Sequence, residues 1–200
     1  MRGEAFRDTS GPGKQGVQAM LRLVEQKQTK KSARDRVLLR LLYDLALRCG
    51  EVISLDVADV NLEQGTVAVR GKGKTSKQIL TLPEPTKAAL KMWLEARGTE
   101  PGALFTNFDR ASGKGNRLTR TGLYRLVRGY GQVLGLNVGP HKIRHTSITE
   151  ACKAAADNGI GLEEVLDYSR HSRKSVAVLM VYRDRERNVQ GLLASMVAAG

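Results

Sequence analysis

The stretch from Val37 to Leu55 reads VLLRLLYDLALRCGEVISL, and its apolar pattern carries much of the information about the fold. Leucines and a valine recur every three to four residues over its first half, which is the spacing of one buried helix face. Ser32 can cap such a helix, so the sequence predicts a helix that ends at Leu47. Arg48 follows directly. Its guanidinium either pairs with Glu51 or contacts an anion, and the local sequence leaves both open.

The rest of the chain predicts further helices around one small sheet. Residues 65–70 and 78–82 are β-prone and flank a glycine-rich turn, which predicts a hairpin. Apolar spacing and caps predict helices at residues 17–26, 86–97, 119–134, 141–156, 162–169, 174–183 and 189–197. We therefore expect a mainly α fold with a small antiparallel β-sheet (α+β). Residues 1–16 are expected to be a flexible segment and residues 17–200 one domain.

The chain is strongly basic. Its 200 residues include 33 Lys and Arg against 20 Asp and Glu, which gives a formal net charge of +13. Such an excess favours a polyanionic partner, and nucleic acid is the commonest one. A role in solubility alone would also account for the charge.

Several classes of protein do not fit the sequence. It has no apolar run long enough to span a bilayer, and its N-terminus does not have the pattern of a secretory signal. Cys49 and Cys152 form neither a metal-spaced pair nor a disulfide framework, which favours a reducing cytoplasm. The histidines are too few for a zinc site, and the phosphate-binding loop of ATP-driven motors is missing. We expect no metal and no cofactor.

Some residues could carry phosphate chemistry. His141 and Arg144 are three residues apart at the start of a predicted helix, so they share a face beside the N-terminus, which attracts anions. Lys72 lies between two glycines at the hairpin tip, and Tyr182 would be a nucleophile where nearby cations stabilise its phenolate. Each residue alone is more often an ordinary surface or packing residue. Their order along the chain is the informative feature.

This order resembles the catalytic domain of tyrosine recombinases, the phage integrase family. The resemblance covers about residues 17–190. It rests on residues 42–55, the hairpin at residues 69–83, PHKIRHT at residues 140–146 and KSVAVLMVY at residues 174–182. It implies the recombinase catalytic-domain fold and a site-specific DNA recombinase of the integrase or invertase kind.

The resemblance also implies a mechanism. Tyr182 would attack a DNA phosphodiester and form a 3′-phosphotyrosyl bond. Arg48 and Arg144 would hold the nonbridging oxygens as charge builds on them. Lys72 would protonate the leaving 5′-oxygen, and His141 would assist proton transfer at the tyrosine.

His171 is implied to donate a hydrogen bond to the same oxygens, but its spacing departs from the family. The family has Gly-His nine residues before the tyrosine, whereas Arg173 occupies that position here and His171 precedes it. Either two residues are inserted after His171, which its serine-flanked turn favours, or Arg173 takes its place. Most relatives also carry an N-terminal DNA-clamping domain. The chain is expected to be either a short stand-alone recombinase or a catalytic fragment.

Double-stranded DNA is the implied partner, with association with the nucleoid. The basic helix at residues 119–134 is a candidate for an element that faces a DNA groove, although its arginines could equally be a solvated face. The expected DNA contacts are Lys74, Arg117, Arg120, Arg125 and Arg128. The helix at residues 189–197 has one apolar face, which either packs on its own domain or joins protomers into a homo-tetramer on paired DNA sites. A type IB topoisomerase-like enzyme and a non-catalytic DNA-binding protein with this fold are the alternatives.

Overall fold

The computed structural model describes residues 11–71, 73–108 and 114–170. In chain order these residues form helices α1 (Gly13–Glu25), α2 (Lys30–Tyr43) and α3 (Cys49–Ile53), strands β1 (Val60–Asn61), β2 (Thr66–Arg70) and β3 (Lys77–Thr81), and helices α4 (Glu84–Arg97), α5 (Arg120–Val133), α6 (Pro140–Asp157) and α7 (Leu162–Ser169). The prediction of a mainly α fold with a small antiparallel sheet is confirmed. Lys72, His171, Tyr182 and the predicted helices at 174–183 and 189–197 lie outside the described residues.

The sheet has the strand order β1-β2-β3, with both pairs antiparallel. Arg70 is paired with Lys77, so the turn of the predicted hairpin lies between these two residues. Val67 and Val69 of β2 are buried, whereas most of β3 is exposed at the edge of the sheet. Strand β1 was not predicted, because two residues are too short to show an alternating pattern.

Helix α2 begins one turn earlier than the sequence predicted. Thr29 is the cap: its Oγ1 accepts a hydrogen bond from the Ser32 amide at 3.1 Å, and Ser32 Oγ accepts one from the Thr29 amide at 2.9 Å. Ser32 therefore lies in the third helical position and not at the cap. Two hydroxyl residues three apart make a reciprocal cap, which satisfies otherwise unpaired amides.

The same helix ends at Tyr43 and not at Leu47. Ala46 has φ of 46°, in the left-handed region that a non-glycine residue seldom occupies, and the Leu47 amide turns back to the Leu41 carbonyl at 3.1 Å. Leu45 and Leu47 stay buried although the helix has ended. The apolar spacing continues past Tyr43 because Leu45 and Leu47 are buried in the turn that follows α2. The predicted helix end at Leu47 was therefore wrong.

The core of the first part of the chain surrounds α2, which packs against α1, α3, α4 and α5. Trp93, Phe105 and Leu38 are among its fully buried side chains. Helix α1 contributes the predicted apolar face but begins at Gly13 and not at Val17. Helices α4, α5, α6 and α7 lie within two residues of their predicted bounds, because caps and breakers at their ends act locally.

The chain divides into two compact units, Met1–Ser147 and Ile148–Gly200. In the described part of the second unit, the end of α6 and α7 bury Ile148, Cys152, Val165 and Leu166. Within the described ranges, every helix is too short or too polar to cross a membrane.

Candidate active site

The loop between α2 and α3 is held by the first two turns of α6. Arg144 Nη1 donates a hydrogen bond to the carbonyl oxygen of Ala46, and Ser147 Oγ donates one to that of Tyr43. The two side chains are three residues apart, so they leave the same face of α6. Arg144 is only 4% exposed, and its guanidinium lies against the backbone two residues before Arg48. Tyr43 is the last residue of α2, so its carbonyl has no partner within the helix, and Ala46 lies in the turn that follows. Both bonds therefore bind carbonyls outside the hydrogen-bond pattern of the helix.

Arg48 precedes α3 and is tied to Glu51 twice. Its amide donates to Glu51 Oε2 at 2.8 Å, and its Nη1 donates to Oε1 at 2.9 Å. Glu51 is buried, while the side chain of Arg48 remains 31% exposed. Of the two possibilities that the sequence left open, the pairing with Glu51 is present. The pairing also orients the guanidinium, so it is compatible with contact to an anion.

A third arginine lies beside the same loop. A Cβ on Gly50 would lie 3.0 Å from Nη2 of Arg120, so this guanidinium, from the first residue of α5, covers the first turn of α3. Burial raises the pKa of the neighbouring Cys49 thiol, although the charge of Arg120 acts in the opposite direction. Arg120 was expected on a DNA-facing helix; the structure brings its guanidinium against Gly50, two residues after Arg48 in the chain.

His141 is exposed in the first turn of α6, one turn before Arg144. Tyr124 of α5 packs close to this turn, because a Cβ on Gly139 would lie 2.8 Å from its ring. The helix spacing predicted that His141 and Arg144 share a face. In the structure Arg144 is buried, whereas His141 is exposed to solvent.

The hairpin is anchored where β3 leaves the turn. Lys77 Nζ donates to Asp59 Oδ1, and the other oxygen of this buried carboxylate accepts the amide of Asp56 at 3.0 Å. Lys77 begins β3, so this ion pair fixes the strand that leads out of the turn. Lys74 is exposed within that turn, and its amide donates to the Gly71 carbonyl at 3.1 Å.

The remaining basic candidates occupy three different environments. Arg117 Nη1 donates to the carbonyls of Ile53 and Leu55 at 3.0 and 2.9 Å, and Nη2 pairs with Asp56, so Arg117 braces the end of α3. Arg125 lines a cavity on another side of α5, and Arg128 is exposed. The arginines of α5 therefore do not form one face.

Sequence reasoning missed two contributors to this site. Ala46 supplies both the left-handed turn and the carbonyl that binds Arg144, and Ser147 supplies the second bond. The spacing of Ser147 from Arg144 is a signal that could have been used. The carbonyl of Ala46 has no sequence signal, since every residue carries one.

Residues 14–188 match the sequence profile of the Phage integrase family. The chain belongs to this family. The profile covers most of the chain, so it includes the α2–α3 loop, the hairpin and α6. The family resemblance found from the residues is confirmed.

Curated tyrosine recombinases are similar to much or all of the chain. Tyrosine recombinase slr0733 of Synechocystis sp. is 34% identical over 99% of this chain and 62% of its own length. Tyrosine recombinase XerA of Thermococcus kodakarensis is 33% identical over 72% of this chain and 50% of its own length. The chain thus spans about half to three fifths of the length of these relatives.

Solved structures of recombinases share the fold. XerH site-specific recombinase bound to palindromic difH superimposes with a TM-score of 0.71 at 24% identity, covering 92% of this chain and 52% of XerH. The crystal structure of XerA recombinase gives a TM-score of 0.69 at 20% identity, covering 94% of this chain and 65% of XerA. The recombinase catalytic-domain fold is therefore confirmed.

Proposed function

We propose that this chain is the catalytic part of a tyrosine-type site-specific DNA recombinase, which cleaves and rejoins DNA through a 3′-phosphotyrosyl intermediate. The observation that carries the proposal is the placement of Arg48, Arg120 and Arg144 along the α2–α3 loop and the first turn of α3. Guanidinium groups match a phosphate in charge and geometry. Membership of the integrase family and relatives named tyrosine recombinase support the same function.

In the proposed reaction, the hydroxyl oxygen of Tyr182 attacks the phosphorus of one phosphodiester. The phosphotyrosyl bond forms, the bond to the 5′-oxygen breaks, and Lys72 gives that oxygen its proton. His141 assists removal of the tyrosine proton. The covalent bond keeps the energy of the phosphodiester, so attack by a 5′-hydroxyl rejoins the strand by the reverse steps without ATP.

Arg48 and Arg144 stabilise the charge that builds on the nonbridging oxygens, with His171 as a further donor. Their own contacts support this role, because Glu51 fixes one guanidinium and the Ala46 carbonyl fixes the other. Donors held in place before the reaction need no reorganisation when the charge appears. The proposal includes no metal and no other cofactor.

Comparison of His171→Ala with Arg173→Ala tests which residue supplies the further donor. Loss of a donor to the phosphoryl oxygens is expected to slow cleavage by about 10²-fold or more. The replacement of a surface cation weakens salt-dependent binding without such an effect. If only Arg173→Ala is slow, His171 leaves the proposed site.

Double-stranded DNA is the proposed substrate and partner. Lys74, Arg120 and Arg128 are exposed and basic, which supports contact with the DNA backbone. Arg117 is bonded to Asp56 and to backbone carbonyls, so we propose that it positions α3 rather than binding DNA. XerH and the Tn1549 transposon integrase, which share the fold, were solved in complex with DNA.

The proposed assembly is a homo-tetramer on paired DNA sites, joined through the tail at residues 189–197. The apolar spacing of that tail supports a need for a partner surface. A chain that ends at Asn188 is expected to fold and to bind one site, while losing cooperative assembly on two. If the truncated chain unfolds, or assembles on two sites as well as the full chain does, the proposal that the tail joins protomers is wrong.

The test of the function is recovery of a covalent protein–DNA adduct. The full chain is incubated with a pool of nicked duplexes that have randomised cores, and adducts that survive SDS are sequenced. We expect adducts from the wild type and none from Tyr182→Phe, with Tyr168→Phe as a control. Adducts from Tyr182→Phe would disprove the proposed nucleophile. Adducts without strand exchange on paired copies of the selected site would favour the topoisomerase-like alternative.

A further inference from the structure

A groove runs along one side of α5, away from the candidate active site. It is a cavity of about 750 Å³ between this helix and the α1–α2 region, and the part of α5 that lines it extends from Gly122 to Val133. These twelve residues of helix, separated by eleven rises of about 1.5 Å, give it a length of about 16 Å. Leu23, Leu118 and Leu126 contribute apolar surface, and Val133 is 70% exposed at its edge. We call this cavity the α5 groove.

The wall of the α5 groove contains a buried polar network. Arg34 is 4% exposed and donates from Nε and Nη2 to Asp35 Oδ1 at 2.9 and 2.7 Å, while its Nη1 donates to the Thr106 carbonyl. Its guanidinium also lies 4.5 Å from the ring centre of Phe108. Tyr130 donates to the other oxygen of Asp35 at 2.9 Å. The charges of Arg34 and Asp35 offset each other, and the network gives the groove a fixed wall.

Basic side chains outside this network surround the entrance of the α5 groove. Lys27, Lys31 and Arg125 line the groove and are exposed, so the described residues at its entrance carry an excess of positive charge over an apolar floor. This combination selects a ligand that is itself apolar on one side and negative along its flanks. An amphipathic helix with acidic residues beside its apolar stripe has this chemistry, and helix-in-groove binding is a recurrent mode of recognition.

The backbone of α5 permits close approach. Gly129 lies in the middle of the groove, and a Cβ placed on it would meet no atom of the described residues within 4 Å. A helix could therefore lie against α5 at this point. The length of the groove corresponds to about three turns of helix.

We propose that the α5 groove binds an acidic amphipathic helix of a partner protein. DNA is the less suitable occupant, because a phosphate backbone is polar and charged and gains nothing by contact with the apolar floor of the groove. Gly129 is nine residues from Arg120, or about 180° around the helix, so the groove also faces away from the arginine that covers α3. The tail of the chain is equally unsuitable, since residues 188–200 contain no acidic side chain.

Fluorescence anisotropy on the full chain tests the proposal. The probe is a fluorescein-labelled peptide of about fourteen residues, with leucines at helical 3-4 spacing and glutamates flanking them, against a scrambled isomer of the same composition. We expect the amphipathic peptide to bind at least tenfold more tightly than the isomer. Equal binding of the two peptides would overturn the proposal, because it would reflect net charge alone.

Substitutions then locate the binding. Gly129→Leu, which fills open space, and Arg125→Glu are each expected to weaken peptide binding tenfold or more. Lys91→Glu, which makes the same charge change on the exposed side of α4, is the control and should leave binding within twofold. Unchanged binding by both groove variants, each with a wild-type circular dichroism spectrum, would overturn the proposal.

Two further readouts exclude the other occupants. Gly129→Leu should keep wild-type affinity for duplex DNA and wild-type adduct formation; a tenfold loss of DNA affinity would identify the groove as a DNA surface instead. A chain that ends at Asn188 should bind the peptide as the full chain does. Tighter binding after truncation would show that the tail is the occupant. Adduct formation by Tyr182 is a separate measurement, so the proposed function can stand or fail independently.

Discussion

Arg144 donates a hydrogen bond from Nη1 to the carbonyl oxygen of Ala46, two residues before Arg48. This contact joins α6 to the loop that begins α3, so two arginines far apart in sequence are held around one short stretch of backbone. The buried position of Arg144 means that its side chain serves the fold as well as the proposed chemistry. A variant of Arg144 therefore needs a matched control variant that disturbs the fold without removing the charge.

Arg144→Ala is expected to slow DNA cleavage by about 10²-fold or more, the effect of losing one donor to a developing oxyanion. Ser147→Ala is the matched variant, because it removes the neighbouring bond to Tyr43 but no charge. It should lower the free energy of unfolding by about 1 kcal/mol and cleavage only slightly. Urea unfolding and single-turnover adduct formation measure the two effects. Equal cleavage defects in both variants would mean that Arg144 acts only through the fold.

The left-handed turn at Ala46 predicts a dependence on the shape of the side chain. Ala46→Gly should leave the free energy of unfolding within about 0.5 kcal/mol, because relief of strain offsets the greater freedom of the unfolded chain. Ala46→Val should lower it by about 1–3 kcal/mol, since a β-branched residue is strained at φ of 46°. Thermal and urea unfolding check both values. A valine variant as stable as the wild type would contradict the observed turn.

The three lysines of the hairpin are expected to behave differently. Lys72→Ala should slow cleavage of ordinary DNA and be rescued by a 5′-phosphorothiolate, because sulfur leaves without protonation. Lys77→Ala should not be rescued, since it deprives the buried Asp59 carboxylate of its ion pair and loosens β3. Lys74→Ala, at an exposed position in the same turn, is the control for loss of charge. Rescue of Lys74→Ala or Lys77→Ala instead would mean that Lys72 is not the acid.

Tyr130 predicts a loss of stability at alkaline pH. Burial, with the Asp35 carboxylate beside it, raises the pKa of Tyr130 above its ordinary value near 10. The unfolded chain therefore loses this proton first, and the stabilisation is present below about pH 10 and lost as the pH rises through the folded pKa. The stability difference between the wild type and Tyr130→Phe should shrink above about pH 10 in urea unfolding. A constant difference up to about pH 11 would contradict the hydrogen bond to Asp35.

The helices and the hairpin could be predicted where their signals are local. Helix α7 has the predicted bounds, and Thr119 caps α5 by accepting from the Gly122 amide at 3.0 Å. The prediction for α2 was wrong at both ends because its local signals were misread. Thr29 and Ser32 share the cap, and the buried residues after Tyr43 continue the apolar spacing through a turn. Spacing reports which residues are buried, and burial does not require a helix.

The sequence by itself determined the fold class, the order of the longer helices and the hairpin, and the family, because caps, turns and motif residues act through neighbours along the chain. Only the tertiary structure decided what each arginine does. Arg48 is paired with Glu51, and Arg117 donates hydrogen bonds to carbonyls at the end of α3. Arg120 lies over Gly50, whereas Arg125 lines the α5 groove. A guanidinium takes its role from the acceptors within reach, and those are brought together by folding, most of them from residues distant in the chain.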